Sequence, residues 1–129
     1  MVAVDTNVLV RLLTGDPPAQ YQASRKLFSS EHIFVPDSVV LETEWVLRAA
    51  YDLEPATVCA ALRGVFGLEN VTVANGEAVS QALDWHEAGL DFADALHLAF
   101  SKGHEVLKTF DAGFIKRARP LGACRVEKP

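Results

Sequence analysis

The sequence is poor in the features that build disulfide frameworks, zinc sites and membrane spans. It has two cysteines, Cys59 and Cys124, which lie too far apart to indicate a disulfide scaffold or a zinc site. We expect both to be reduced thiols in or near the core. No apolar stretch approaches the length of a membrane span, so no membrane association is predicted. The first residues lack the basic and apolar regions of a secretory signal, which predicts a cytoplasmic protein.

Two common catalytic patterns are also missing. The chain has no Gly-rich phosphate loop, and no Ser/His/Asp or Cys/His arrangement that indicates a nucleophile. Its four histidines share no ligand spacing. His97 follows Asp94 by three residues, so it is either a neighbour of a site at Asp94 or an ordinary core residue.

The net charge of −5 is unevenly distributed along the chain. Residues 1–100 carry 5 Lys and Arg against 14 Asp and Glu, a net charge of −9, whereas residues 101–129 carry 7 against 3, a net charge of +4. An acidic protein is a poor non-specific nucleic-acid binder, because phosphate affinity comes largely from Lys and Arg. The basic C-terminal part is either a local positive surface or a set of solvated helix ends and a tail.

Strand-like and helix-like segments alternate along the chain. The predicted strands cover residues 2–4, 32–35, 71–73, 106–110 and 124–126, and the predicted helices about 6–13, 19–29, 37–51, 55–66, 76–88, 91–102 and 111–117. The alternation predicts an α/β fold with a parallel sheet covered on both faces, in a single domain over residues 1–129. The helix over 37–51 is apolar on most sides, so we expect it to be buried.

Two acidic residues directly follow predicted strands. Asp5 follows the first strand and Asp111 the fourth, where open α/β sheets place their sites. The alternative role of each is a helix N-cap. Thr6 and Asn7 also suit the cap beside Asp5, which would leave Asp5 for a ligand and Asn7 for a supporting hydrogen bond. Thr109 can add a hydroxyl beside Asp111.

The predicted helix over residues 37–51 contains two further acids, Glu42 and Glu44. Glu44 precedes Arg48 by four residues, which predicts an ordinary ion pair. Glu42 has no helical neighbour with which to pair, and an unpaired acid on an apolar face is costly unless something neutralises it. We therefore assign Glu42 to a metal site, with a surface position as the alternative.

Asp91 and Asp94 have the spacing of a helix N-cap and a first-turn acid. A structural role at the helix start is enough to explain both residues. Asp94 nevertheless lies among apolar neighbours, which indicates that its carboxylate serves a site that needs negative charge. We assign Asp91 to the cap and Asp94 to the site. A helix N-terminus stabilises a carboxylate, so we expect Asp94 to stay ionised.

The segments that contain these acids resemble the motifs of PIN-domain ribonucleases, and most of all those of the VapC toxins of bacterial and archaeal toxin–antitoxin systems. They are residues 4–11, 42–47, 91–99 and 109–111. The resemblance implies a three-layer α/β/α sandwich with a short parallel sheet. It also implies an RNA endonuclease dependent on Mg²⁺ or Mn²⁺, a VapB-like antitoxin that covers the site, and a homodimer. By this likeness the catalytic and metal-binding acids are Asp5, Glu42, Asp94 and Asp111, with Asn7 and Thr109 as supports.

The expected chemistry follows from the all-oxygen donor set, which suits Mg²⁺ or Mn²⁺ rather than zinc. We expect Asp5 and Asp94 to hold the principal ion, while Glu42 and Asp111 complete the pocket or bind a second ion. The candidate RNA contacts are Arg11, Lys108, Lys116 and Arg117.

Two other functions remain open on the sequence. One is a PIN-like nuclease that processes RNA without an antitoxin. The other is a non-catalytic, protein-binding α/β domain whose acids only cap helices, which would have no appreciable affinity for Mn²⁺.

Overall fold

The computed structural model describes all residues from 1 to 129, and the chain divides into two compact units. Unit 1 comprises residues 1–76 and unit 2 comprises residues 77–129. Each unit contains its own parallel strands and its own buried residues.

Unit 1 alternates short strands with pairs of helices. Its elements are β1 (Val2–Ala3), α1 (Thr6–Thr14), α2 (Pro18–Ser30), β2 (Ile33–Val35), α3 (Asp37–Ala49), α4 (Pro55–Phe66) and β3 (Val71–Val73). The central strand β2 pairs in parallel with β1 and β3, so that Ile33 lies opposite both Val2 and Val71. Parallel neighbours need long crossover connections, which the intervening helices supply.

Unit 2 contains three helices and a two-stranded parallel sheet. Its elements are α5 (Gly76–Glu87, which begins at the last residue of unit 1), α6 (Phe92–Phe100), β4 (Val106–Lys108), α7 (Ala112–Ala118), a 3-10 turn (Arg119–Leu121) and β5 (Arg125–Glu127). Strand β4 pairs with β5, and Leu107 lies opposite Val126.

Each unit buries apolar side chains of its helices, and unit 1 also buries those on one face of β2. Ile33 and Val35 have no exposed surface, as expected for the middle strand of a parallel sheet. Burial of one such side chain contributes roughly 1.5–3 kcal/mol. The largest fully buried apolar side chains of unit 1 include Leu9, Leu47 and Leu62, and those of unit 2 include Leu83, Phe92 and Leu98.

The predicted fold class is confirmed, because helices alternate with short strands and every strand pairing is parallel. Most predicted boundaries agree with the observed ones within two or three residues. Strand β4 ends at Lys108 rather than at Phe110, whose side chain is 81% exposed. Cys59 is buried and Cys124 is half-buried, in agreement with the prediction that both lie in or near the core.

The prediction that α3 is buried on most sides is wrong. Only one side of α3 is buried, and that side includes Val40, Thr43 and Leu47. Leu41 is exposed, and Trp45 is 57% exposed. Apolar composition does not separate a buried helix from one that presents aromatic and aliphatic side chains at its surface.

None of the seven helices combines the length and the apolar character that a membrane-crossing segment needs.

Candidate functional site

In unit 1, Asp5 caps helix α1. Its backbone is extended (φ −93°, ψ 179°), and its Oδ1 accepts a hydrogen bond from the backbone N–H of Val8 at 3.2 Å. The expectation that Thr6 or Asn7 would take over this cap is therefore wrong, because the helix already begins at Thr6. A cap of this kind occupies one carboxylate oxygen, so Asp5 retains Oδ2 for another ligand.

A side-chain hydrogen bond connects α1 to Glu42 of α3. The buried hydroxyl of Thr6 donates to Oε1 of Glu42, whose side chain is exposed. Since Thr6 follows Asp5 in the chain, this bond brings Glu42 to the N-terminal end of α1, where Asp5 lies. The sequence showed correctly that no helical neighbour pairs with Glu42. It did not reveal Thr6 as the partner, because the two residues are 36 positions apart.

Asn7, the predicted support of Asp5, is exposed, and its side chain makes no hydrogen bond in the structure. The side chain in unit 1 that does hydrogen-bond to a candidate acid is that of Thr6. Glu44 behaves as predicted, since Arg48 donates to it at 2.9 Å. Glu44 is only 1% exposed, so it turns towards the interior while Glu42 turns to the surface. The two acids of α3 thus lie in different environments, Glu44 in the interior and Glu42 at the surface.

In unit 2, Asp91 caps α6, as predicted. Its Oδ2 accepts a hydrogen bond from the backbone N–H of Asp94 at 3.1 Å. Asp94 occupies the first turn of α6, and its side chain is half-buried. The cap role of Asp91 leaves the Asp94 carboxylate available for a different task.

The Asp94 carboxylate lies in an unfavourable environment for its charge. Burial raises its pKa, and repulsion from Asp91 and Asp111 raises it further, whereas His97 and Arg117 act in the opposite direction. The helix N-terminus therefore does not prevent a rise in the pKa of Asp94, and the expectation that this carboxylate stays ionised remains a prediction. Like charges that raise a carboxyl pKa in this way are a feature of functional sites as well as of ion-pair networks.

Asp111 caps α7 much as Asp5 caps α1. Its Oδ1 accepts from the backbone N–H of Phe114 at 3.0 Å, and its own N–H donates to Oγ1 of Thr109 at 3.1 Å. The Thr109 hydroxyl is therefore hydrogen-bonded to the backbone of Asp111. A Cβ added at Gly113 would lie 3.3 Å from Oδ1 of Asp111 and 3.7 Å from Nη1 of Arg117. The carboxylate and the guanidinium thus both lie close to the position of that Cβ, on the same side of Gly113.

The four cations predicted to contact RNA differ in their surroundings. Arg11 is occupied by Gln20, to which it donates at 2.7 Å, and Lys108 forms an ion pair with Glu127 at 2.7 Å. Arg117 lies close enough to Asp94 to lower its pKa, and Lys116 is exposed without an ion pair. The α7 cations are therefore more available to an anion than the other two.

The donor chemistry of these acids fits a hard divalent cation. Carboxylate oxygens are the ligands that Mg²⁺ and Mn²⁺ take, and the repulsion around Asp94 is the kind that a cation relieves. Within each unit, no group of three or more His, Cys, Asp or Glu side chains is positioned to hold a metal ion. Unit 1 offers Asp5 and Glu42, and unit 2 offers Asp94 and Asp111.

Comparison with known proteins identifies the family. No curated protein matches the chain. The model of the PIN domain family matches residues 2–120, which include every candidate acid. Because this match covers most of both units, the chain belongs to the PIN domain family.

Proposed function

We propose that this protein is an RNA endonuclease dependent on Mg²⁺ or Mn²⁺ and that it acts as the toxin of a VapBC-type toxin–antitoxin pair. PIN domains are generally metal-dependent nucleases, and this membership supports the nuclease assignment. The single observation that carries the assignment to particular residues is the position of Asp94, a half-buried carboxyl whose pKa is raised by burial and by repulsion from Asp91 and Asp111. Repelling acids held together in a nuclease fold indicate a cation-binding role.

We assign the acids of both units to this activity. Asp5 and Asp94 are proposed to hold the principal ion, with Glu42 and Asp111 as further ligands. When bound, the cation supplies positive charge that activates a water for attack on phosphorus and stabilises the leaving oxygen. Asp5 and Asp111 each use one oxygen to cap a helix, which fixes the direction of the second oxygen.

The supporting residues have proposed roles of their own. Thr6 holds Glu42 through its hydroxyl, and Thr109 fixes Asp111 by accepting from its N–H. Partners that orient a ligating carboxylate matter nearly as much as the ligand itself. Arg117 lies near both Asp94 and Asp111, so its guanidinium is placed to attract a phosphate to an otherwise negative surface.

The biological role is proposed from the resemblance to VapC toxins. It implies a VapB-like antitoxin and a homodimer. We also propose a cytoplasmic location, and that both units act as one PIN domain over residues 1–129. The exposed Leu41 and Trp45 of α3 provide apolar surface of the kind that partner proteins cover.

The nuclease proposal is tested by incubating purified, antitoxin-free protein with a tRNA pool in Mn²⁺, in Mg²⁺ and in EDTA. We expect cleavage in either metal and none in EDTA, and no cleavage by a folded Asp5→Asn variant. Full cleavage in EDTA would contradict the metal dependence.

The toxin role is tested separately by expressing the chain alone in a bacterial host. We expect growth arrest with the wild-type chain and normal growth with the Asp5→Asn variant. A chain that cleaves RNA in vitro but leaves growth unaffected would point instead to RNA processing without an antitoxin.

A further inference from the structure

Unit 2 has a groove of about 1030 Å³ beside strand β5. One side is formed by α7 and the turn after it, and the other by residues 124–128, which include β5. Its volume is at the upper end of the range typical of ligand-binding clefts. Strand β5 pairs only with β4, so no further strand covers its outer edge.

Helix α7 has three distinct sides, and the groove uses one of them. Ala112, Ile115 and Lys116 line the groove together with Arg119, which follows α7 directly and keeps its helical backbone, and this i, i+3, i+4, i+7 spacing is that of one helix face. A second side, with Phe114 and Ala118, is buried. The third side carries Gly113 and Arg117 and lies next to the Asp111 carboxylate. One short helix therefore connects the candidate acids to the groove.

The groove has a surplus of positive charge. Both of its acids are already engaged, since Glu127 pairs with Lys108 at 2.7 Å and Glu105 with Arg125 at 3.4 Å. The remaining cations are Lys116, Arg119 and Lys128, which are exposed and form no ion pair. They leave a net positive surface inside a protein whose total charge is −5.

The rest of the lining is aliphatic or small, as with Ile115 and Val126, and includes no aromatic residue. Proteins that bind the bases of single-stranded nucleic acid stack them on aromatic side chains. A groove with cations and no aromatic platform is suited to phosphates and sugars, which fix the position of a strand without reading its sequence.

We propose that the groove binds the phosphodiester backbone of the RNA that flanks the cleavage position, through Lys116, Arg119 and Lys128. This inference rests on the proposed nuclease function. Helix α7 is roughly 10 Å long at 1.5 Å per residue, so an RNA strand spans the distance from Asp111 to the groove within a few nucleotides. The shared helix favours RNA over an acidic protein segment as the occupant, because it places the groove cations beside the acids of the proposed reaction.

The test measures the affinity of a labelled single-stranded 12-nucleotide RNA in EDTA, over a series of KCl concentrations. The protein is the full chain with Asp94→Asn, which removes cleavage. A second protein adds Lys116→Ala, Arg119→Ala and Lys128→Ala. A matched control instead adds Arg25→Ala, Lys26→Ala and Lys102→Ala, which remove three exposed cations without ion pairs elsewhere.

The groove variant is expected to bind at least tenfold more weakly than its parent at low salt. Its slope of log affinity against log salt should fall by about 2, since each lost contact to single-stranded RNA lowers it by roughly 0.7. The control variant should keep the parental slope. Arg119→Lys alone should change the affinity less than twofold, because a backbone contact needs charge rather than a fork of donors.

Equal slopes for the groove and control variants would overturn the inference, as would absence of RNA binding by the parent. Preferential, charge-dependent binding of a poly-glutamate peptide, with RNA affinity unchanged in the groove variant, would assign the groove to an acidic protein segment instead. If the otherwise wild-type chain with all three groove substitutions cleaves RNA at the native rate, the RNA-binding role of the groove is contradicted, whereas the nuclease proposal still stands. Loss of cleavage by Asp5→Asn and Asp94→Asn reports on the nuclease alone.

Discussion

Each unit has one candidate acid that caps a helix, Asp5 in unit 1 and Asp111 in unit 2, but the second acid of each unit lies in a different environment. In unit 1, Asp5 is fixed by a backbone N–H and Glu42 by the hydroxyl of Thr6, so hydrogen bonds compensate for their charge. In unit 2, Asp94 lies near Asp91 and Asp111, and burial and repulsion both raise its pKa. The comparison teaches that a cation has most to gain near Asp94, whereas the acids of unit 1 are already oriented.

The largest expected effect is the loss of activity in Asp94→Asn. This change removes the proposed ligand charge while preserving shape, so we expect cleavage of a tRNA pool in Mn²⁺ to fall more than about 100-fold, beyond the 10–100-fold typical of supporting residues. The matched control is Asp91→Asn, since Asn is an equally good N-cap. The control should keep activity within about tenfold of wild type. Equal losses in the two variants would contradict the separation of cap and site in unit 2.

The two acids of α3 should separate activity from stability. Glu42→Gln removes the proposed ligand from an exposed position, so we expect activity to fall at least tenfold with little change in stability. Glu44→Gln weakens a buried, charge-assisted hydrogen bond from Arg48, so it should lower the free energy of unfolding by about 1–3 kcal/mol. Cleavage assays and urea unfolding measure the two effects. Loss of activity in Glu44→Gln but not in Glu42→Gln would instead assign the ligand role to Glu44.

The support of Glu42 by Thr6 is tested by Thr6→Val, which removes the hydroxyl at nearly constant volume. We expect roughly 10-fold weaker Mn²⁺-dependent activity, because Glu42 loses its orientation. Thr43→Val is the control, since the Thr43 hydroxyl is buried without a partner. That change should leave activity unchanged and stabilise the fold by about 1 kcal/mol. Comparable activity in Thr6→Val and Thr43→Val would count against the supporting role.

The smallest expected effect is the pH dependence of stability at Asp94. Its pKa is raised in the folded state, so its favourable contribution is complete below the usual value of 3.8 and is lost as the pH rises through the folded-state pKa. At pH 7 without metal, the ionised group should therefore cost stability. Asp94→Asn should raise Tm at pH 7 by on the order of 1 °C, as expected for a modest surface change. Differential scanning fluorimetry in EDTA measures this gain.

The same comparison of Tm at low pH tests the direction of the Asp94 pKa shift. Below pH 3.8 the wild-type carboxyl is protonated, so the Tm advantage of Asp94→Asn should shrink towards zero. An advantage that instead grows on acidification would mean that Asp94 is stabilised, rather than repelled, by its neighbours.

Local features of the sequence predicted most of the fold. The alternation of strands and helices, the helix over residues 55–66 and the cap of Asp91 on the helix that contains Asp94 depend on neighbours in the chain, and each agrees with the structure. The ion pair of Glu44 with Arg48 was predicted for the same reason, since it spans one helical turn.

Features that depend on distant residues were not predicted. The bond from Thr6 to Glu42 joins residues 36 positions apart, and no local pattern indicates it. The raised pKa of Asp94 depends partly on Asp111, which is brought close only by the fold of unit 2. The exposure of Trp45 was missed because apolar composition does not show which side of a helix is covered.

The central claim is that acids of both units are needed for one metal-dependent activity. Its most direct test is Mn²⁺ binding, measured by isothermal titration calorimetry for wild type, Asp5→Asn and Asp94→Asn. The account predicts that the wild type binds Mn²⁺ and that each substitution, although made in a different unit, weakens binding at least tenfold. Wild-type affinity in either folded variant, or no Mn²⁺ binding by the wild-type protein, would contradict it.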